Sequence, residues 1–197
     1  LAEWAKDDKL VYHGNAGQEL LREVPHSLKV RLLYPVEQRV QRIMAQFNYS
    51  REQSARFVEQ IDDDRTKRMR YFYNADWRDP SRYDLSIRLE RITAPMAERL
   101  VLDLAMQPAF QLTEEKAGAF QDFLVKCRIY ALLAGAMVGR LSLIGVSVRA
   151  GVVTLSGTIT SHESTLDQLV KRIEAMNGVK QVQNDIVVGV VYHEWNV

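Results

Sequence analysis

Two hydrophobic periods take turns along this chain. Leu28, Val30 and Leu32 alternate with Lys29, Arg31 and Leu33, and the alternation predicts a strand over 28–33. Pro35 follows, a residue suited to a first helical turn, and Val36, Val40, Ile43, Met44 and Phe47 then recur at helical spacing. Ser50 and Gln53 form a capping box that opens a second helix, with Phe57, Val58 and Ile61 expected to face inward. That helix runs into Tyr71-Phe72-Tyr73. Asn74 to Arg82, with Asp79-Pro80, reads as a loop, and Tyr83 to Ile87 as a short strand. Thr93 caps a helix to about Met106, which Pro108 closes. Upstream, Leu1 to Lys9 reads as the end of a helix and Leu10-Val11-Tyr12 as a strand. Gly14 to Gly17 is a turn, and Gln18 to Arg22 a short helix ended by Pro25. Strand and helix in alternation predict an α/β unit with parallel strands and crossover helices.

The pattern changes after Pro108. Thr113-Glu114-Glu115 starts a helix to about Met137, its acidic start suited to the helix dipole. Phe120, Leu124, Cys127, Ala131 and Ala134 are expected on its inner face. The period then drops to two through Val146, Val148, Val153, Leu155 and Ile159, with a turn at Ala150-Gly151 and a bulge or close approach at Gly157. Ser161 caps a helix with Leu166, Leu169, Val170 and Ile173 inward, Asn177-Gly178 stops it, and Val182, Ile186 and Val188 mark a last strand. The order helix, strand, strand, helix, strand predicts a small α+β unit. The expected division is 1–108, 113–190 and an aromatic tail at 191–197.

Composition narrows the class without naming a function. The 197 residues are 47% hydrophobic and 26% charged, with a net charge of +1, so no excess of positive charge points to nucleic acid. The single cysteine, Cys127, excludes an internal disulfide and fits a reducing compartment, which places the chain in the cytoplasm or at a membrane periphery. No apolar run reaches transmembrane length; Ile129 to Val138 is the longest uncharged one. The first residues are polar and acidic and carry no initiator methionine, and the expectation is that further sequence lies upstream. His13, His26, His162 and His193 are scattered without carboxylate or cysteine partners at ligand spacing, so no metal site is expected.

The densest chemistry lies in Gln60 to Tyr71. An acidic triplet, Asp62-Asp63-Asp64, is followed by Arg65, Lys67, Arg68 and Arg70. Asp62 and Arg65 are three apart and share a helix face. One reading is a solvated helix laced with ion pairs. The other is a site in which a carboxylate holds a hydroxyl and a guanidinium holds a phosphate. Asp62, Arg65 and Arg68 are the candidate phosphate-binding residues. Gly14, Asn15 and Asp84 are candidate cleft residues. No residue is assigned a catalytic role.

Two stretches carry family resemblances. Ile144 to Gly157, with its glycine-valine-valine-threonine-leucine-serine-glycine hairpin, and Asn177-Gly178-Val179-Lys180-Gln181-Val182-Gln183-Asn184 resemble a BON domain over about 120–190. That resemblance implies a non-enzymatic αββαβ module that binds phospholipid or another ligand, or mediates assembly. Leu28 to Val40, Asp62-Asp63-Asp64-Arg65 and Tyr71 to Leu85, with its tryptophan-arginine-aspartate-proline run, resemble the C-terminal part of a cytidylate kinase-like protein over about 10–105. The resemblance implies a partial P-loop nucleoside monophosphate kinase fold, in which Asp62 would hold the sugar of a CMP-like nucleotide and Arg65 its phosphate.

Three departures from that family stand out. No Gly-x-x-x-x-Gly-Lys-Ser/Thr occurs in this sequence. Asn15 replaces the family's arginine after Gly14, and Arg88-Leu89 replaces its asparagine-threonine. The expectation is a non-catalytic binding or regulatory chain that needs no cofactor. The alternatives are a portion of a longer cytidylate kinase, using ATP and Mg with a P-loop upstream, and a purely structural assembly module. A parallel sheet without its central strand exposes an edge, so a homo-oligomer or an upstream segment is expected to cover it.

Overall fold

The computed structural model describes residues 1–7, 10–136, 144–159 and 163–189. The expected cap at Ser161, the expected helix end at Met137, His162, His193 and the aromatic tail lie outside the described residues. The chain separates into two compact units, Leu10–Leu112 and Thr113–Val197, with Leu1–Lys9 grouped with the second. Among the described residues no helix is long and apolar enough to cross a membrane.

The unit Leu10–Leu112 contains α1 (Gly17–Leu20), β1 (Val30–Leu33), α2 (Val36–Phe47), α3 (Arg51–Tyr73), β2 (Leu85–Arg88) and α4 (Ala94–Ala105). The two strands pair in parallel, Val30 opposite Leu85 and Leu33 opposite Arg88. The carbonyls of Lys29 and Leu33 accept from Leu85 and Leu89, so by the strand period Val30 and Leu32 turn their backbone groups away from β2. Ile87, Leu89 and Ala97 form the core here, with Val30, Leu85 and Val101 packed against them. The expected inward alternation of β1 holds at Val30 but fails at Leu32, which is 52% exposed. A two-stranded sheet covers that face only near its start.

No strand forms at Leu10-Val11-Tyr12, contrary to the apolar pattern. Val11 is fully exposed, and the Tyr12 ring folds back over Gly14 and Gly17. A three-residue apolar run without a ladder partner has no way to satisfy its backbone as a strand.

Helices α2 and α3 pack together through buried Val40 and Val58, with Ser54 fully buried between the larger side chains. The capping box at the start of α3 has both arms. The Gln53 backbone N–H donates to Ser50 Oγ at 3.2 Å, and the Ser50 N–H donates to Gln53 Oε1 at 2.9 Å. Phe57 does not turn inward as its spacing predicts. It joins Phe47 and Tyr49 in an aromatic cluster where α2 turns into α3, with centroids 5.8 and 6.2 Å away.

The C-terminal unit runs α5 (Glu114–Ala136), β3 (Ile144–Arg149), β4 (Val152–Ile159), α6 (Glu163–Glu174) and β5 (Gln181–Val188). This is the element order read from the sequence. The sheet order is β3-β4-β5, with β4 antiparallel to β3 and parallel to β5. Val153, Leu155 and Ile159 of central β4 meet Leu166, Leu169 and Ile173 of α6 in one core. The inner face of α5 agrees with the sequence expectation at Phe120 and Leu124, which are buried, and departs from it further along the helix. Val125, Ile129 and Leu133 enter that core, while Ala131 and Ala134 are exposed and Cys127 is half-buried. Apolar residues surround this helix on several sides, so larger side chains rather than spacing decide which stripe packs. Nor is Gly157 a bulge: it sits in continuous register, opposite Ile144 on one side and Ile186 on the other.

The β3–β4 turn is held from outside. Ala150 (φ 51°) and Gly151 (φ 81°) both occupy the left-handed region. Their backbone N–H groups donate to the Asp122 carboxylate at 2.6 and 2.9 Å. The Gly151 carbonyl accepts from the Lys180 N–H at 2.8 Å, and a Cβ on Gly151 would stand 2.9 Å from the Gly178 carbonyl oxygen. Glycine is thus required both by backbone conformation and by close approach. Asp122→Ala is expected to destabilise this unit by about 1–2 kcal/mol through loss of two charge-assisted bonds. Chemical denaturation followed by circular dichroism checks this, and an unchanged midpoint would refute the role given to Asp122.

At the start of the chain, Glu3 accepts from Arg128 Nε at 2.6 Å and pairs with Lys6. The Arg128 bond and then the Lys6 bond hold its carboxyl down at about 2.

Candidate functional site: an arginine cluster on Trp77

Asp62 and Arg65 lie on the face of α3 between buried Val58 and Met69. Their half-buried position follows from helical spacing, which puts polar side chains into an otherwise apolar stripe. Asp62 is gripped by Arg39 of α2 in a fork: Nη1 donates to Oδ2 at 2.7 Å and Nη2 to Oδ1 at 2.8 Å. Burial pushes the Asp62 carboxyl up. The Arg39 bonds, with the charges of Arg39, Arg65 and Arg78, more than offset this and leave it below the usual aspartate range.

Arg65 turns to Trp77, its guanidinium carbon 4.6 Å from the ring centroid. Arg31 of β1 and Arg78 reach the same ring at 4.9 and 5.4 Å. Guanidinium groups stack on indole because the ring face is electron-rich. The ring is fixed at its edge by Trp77 Nε1, which donates to Thr66 Oγ1 at 3.0 Å, and Thr66 in turn donates to the Asp62 carbonyl at 2.8 Å. Tyr83 completes the floor. Its hydroxyl donates to the Trp77 carbonyl at 2.8 Å, and its ring lies 5.6 Å from the Arg31 guanidinium carbon. Burial raises the Tyr83 phenol above its ordinary value.

Charge is therefore unbalanced. Arg31, Arg39, Arg65 and Arg78 converge, and Asp62 is the carboxylate among them, with both oxygens already engaged by Arg39. Burial, then repulsion from Arg39 and Arg68, depresses the Arg65 guanidinium below the ordinary arginine value, against the pull of Asp62. The Nε atoms of Arg31 and Arg65 are buried and without a hydrogen-bond partner among the described residues. Buried unpartnered donors on cations are what an incoming oxyanion would satisfy.

The other sequence candidates fall elsewhere. Arg68 is exposed and donates from Nε to the Asp64 carbonyl at 3.3 Å, one turn along from Arg65. Gly14 and Asn15 form an exposed bend against Tyr12. Asp84 stands at the entry to β2, where Oδ2 accepts the Lys29 N–H at 2.7 Å, and it lines a separate pocket beside Gln18 and Arg82. Among the described residues no group of three or more His, Cys, Asp or Glu could hold a metal ion.

Sequence reasoning alone did not assign Arg31, Arg39, Thr66, Trp77 and Arg78 to this site. One signal was available for Arg39. It sits at helical spacing between Val36, Val40 and Ile43, on the apolar stripe where a charge needs a partner.

The model of the cytidylate kinase-like family matches residues 1–91, which include the whole arginine cluster. No curated protein matches the chain. The mixed α/β architecture, with parallel β1 and β2 joined through α2 and α3, is compatible with a kinase-like fold.

Proposed function

We propose that the unit Leu10–Leu112 binds the phosphate of a CMP-like nucleotide at Trp77, and that this polypeptide is a binding or regulatory protein rather than a phosphoryl-transfer catalyst. One observation carries the binding half of the reading: three guanidinium groups, of Arg31, Arg65 and Arg78, stand around one ring, and the nearby Asp62 carboxylate is already committed to Arg39. Arg65 and Arg31 are the phosphate ligands, Trp77 is the platform, and Asp62 chiefly positions Arg39. Asn15 and Arg88, standing where the family has an arginine and an asparagine, support the non-catalytic half.

The family match favours a second reading, a portion of an ATP-dependent cytidylate kinase using Mg. Calorimetric titration separates the two. CMP is expected to bind, ATP is expected not to, and Arg65→Ala should weaken CMP at least about tenfold through loss of a charge-assisted contact. Absence of CMP binding would overturn the nucleotide reading. ATP binding would favour the kinase.

For the C-terminal unit we propose the BON role of a ligand-binding module, supported by its αββαβ order and by the glycine turn at Gly151. Flotation with phosphatidylglycerol vesicles tests phospholipid as that ligand. The open β1 edge supports self-association, which light scattering over a range of concentrations would test.

A further inference from the structure

A second polar pocket of about 250 Å³ opens beside α1, lined by Gln18, Glu19, Arg22, Lys29, Arg82 and Asp84, with Ser81 and Tyr83 completing its wall. Its groups are unequally committed. Arg82 is spent on Glu19, from Nη1 to Oε1 at 2.6 Å, and that bond is what raises the Arg82 guanidinium. Asp84 has one oxygen on the Lys29 backbone N–H. Ser81 donates its hydroxyl to Asp79 at 2.7 Å. Gln18 is different. It is 8% exposed, and its side-chain Nε2 has no hydrogen-bond partner among the described residues. A buried amide donor left unpaired carries its full desolvation cost. Beside it, the Arg22 guanidinium and the Lys29 ammonium enter no ion pair among the described residues.

We infer that this pocket is a second ligand site, for a compact molecule that carries an oxyanion and a hydrogen-bond donor, such as hydrogen phosphate or a small amino acid. The oxyanion meets Gln18 Nε2, Arg22 and Lys29; the donor meets the second oxygen of Asp84. The pocket lies at the N-terminal ends of β1 and β2, and its ligand needs none of the Trp77 arginines, so the inference stands apart from the nucleotide reading.

The test follows the side-chain amide resonances of Gln18 by NMR in the whole chain, assigned from their loss in Gln18→Leu. Inorganic phosphate and L-serine are titrated separately. A saturable shift of those resonances with either is the expected result, and the one that shifts them identifies the source of the oxyanion. Arg22→Ala should weaken it at least about tenfold. Arg65→Ala should leave it in place. Gln18→Leu provides a second readout that needs no ligand. Removing an unpaired buried amide should raise the melting temperature by about 4 °C or more, whereas a Gln18 held by internal bonds would make the substitution lower it. No shift with either probe, or a lowered melting temperature, overturns the inference.

Discussion

Leu155→Ala is expected to destabilise the C-terminal unit by about 2–5 kcal/mol, the range for removing a fully buried leucine side chain. Leu155 has no exposed surface and sits mid-way along β4, the strand bonded on both sides, between Val146 of β3 and Asn184 of β5. Around it stand Ile129 of α5 and Ile173 of α6, which are equally buried. Collapse around the void would have to move two helices and a sheet together, so the cost should fall in the upper part of that range. Hydrogen exchange at the amides of β3–β5 reads the loss directly. Parent-like protection there would mean that this core is not where the unit's stability lies.

Arg39→Ala is expected to cost about 2 kcal/mol and to change how stability depends on pH. The fork to Asp62 is partly buried, with 26% and 23% of the two side chains exposed. Fully buried pairs lose about 3–5 kcal/mol when one partner goes, and the remaining exposure lowers that figure here. The sign of the pH effect follows from Asp62. Its carboxyl is held below the ordinary aspartate value, so the pair's contribution is fully present above about pH 4 and lost as pH falls through the lowered value. Without Arg39 the burial remains and its main counterweight is gone. With the Asp62 carboxyl no longer held so far below its unfolded value, less stability is lost on acidification, so the variant's stability should fall less than the parent's as pH drops below about 4 and the two profiles should converge there. Urea denaturation between pH 3 and 7 compares the two profiles. Replacing both residues by leucine should recover much of the loss, because no buried charge is left alone. Superimposable profiles for parent and Arg39→Ala would show that the fork is energetically idle.

The Arg39 and Leu155 experiments probe different kinds of information. Leu155 was legible as a core residue from alternation alone, because a strand's two faces are set by its period. The capping box at Ser50 was equally legible, since both of its hydrogen bonds span three residues. Phe57 and the Cys127, Ala131 and Ala134 positions of α5 were misjudged for a shared reason, while Phe120 and Leu124 are buried as expected. A helix with apolar residues on several sides can pack any of them, and the neighbours choose. Phe47 and Tyr49 captured Phe57; the β-sheet selected Val125, Ile129 and Leu133.

The candidate site shows the same division. That Asp62 and Arg65 share a face is a property of helical spacing and was fixed by the local sequence. That Trp77 lies under Arg65, Arg31 and Arg78 depends on the loop after α3 and on β1, which are separated from each other by tens of residues. Apart from the strand expected at Leu10-Val11-Tyr12, which does not form, local sequence thus determined the order of the main elements, the capping box at Ser50 and the residues with chemistry to offer, because those depend on period and on contacts within a turn. The tertiary structure alone decided which charges are paired and which donors stay open, because burial and partnership depend on what the fold brings across the chain.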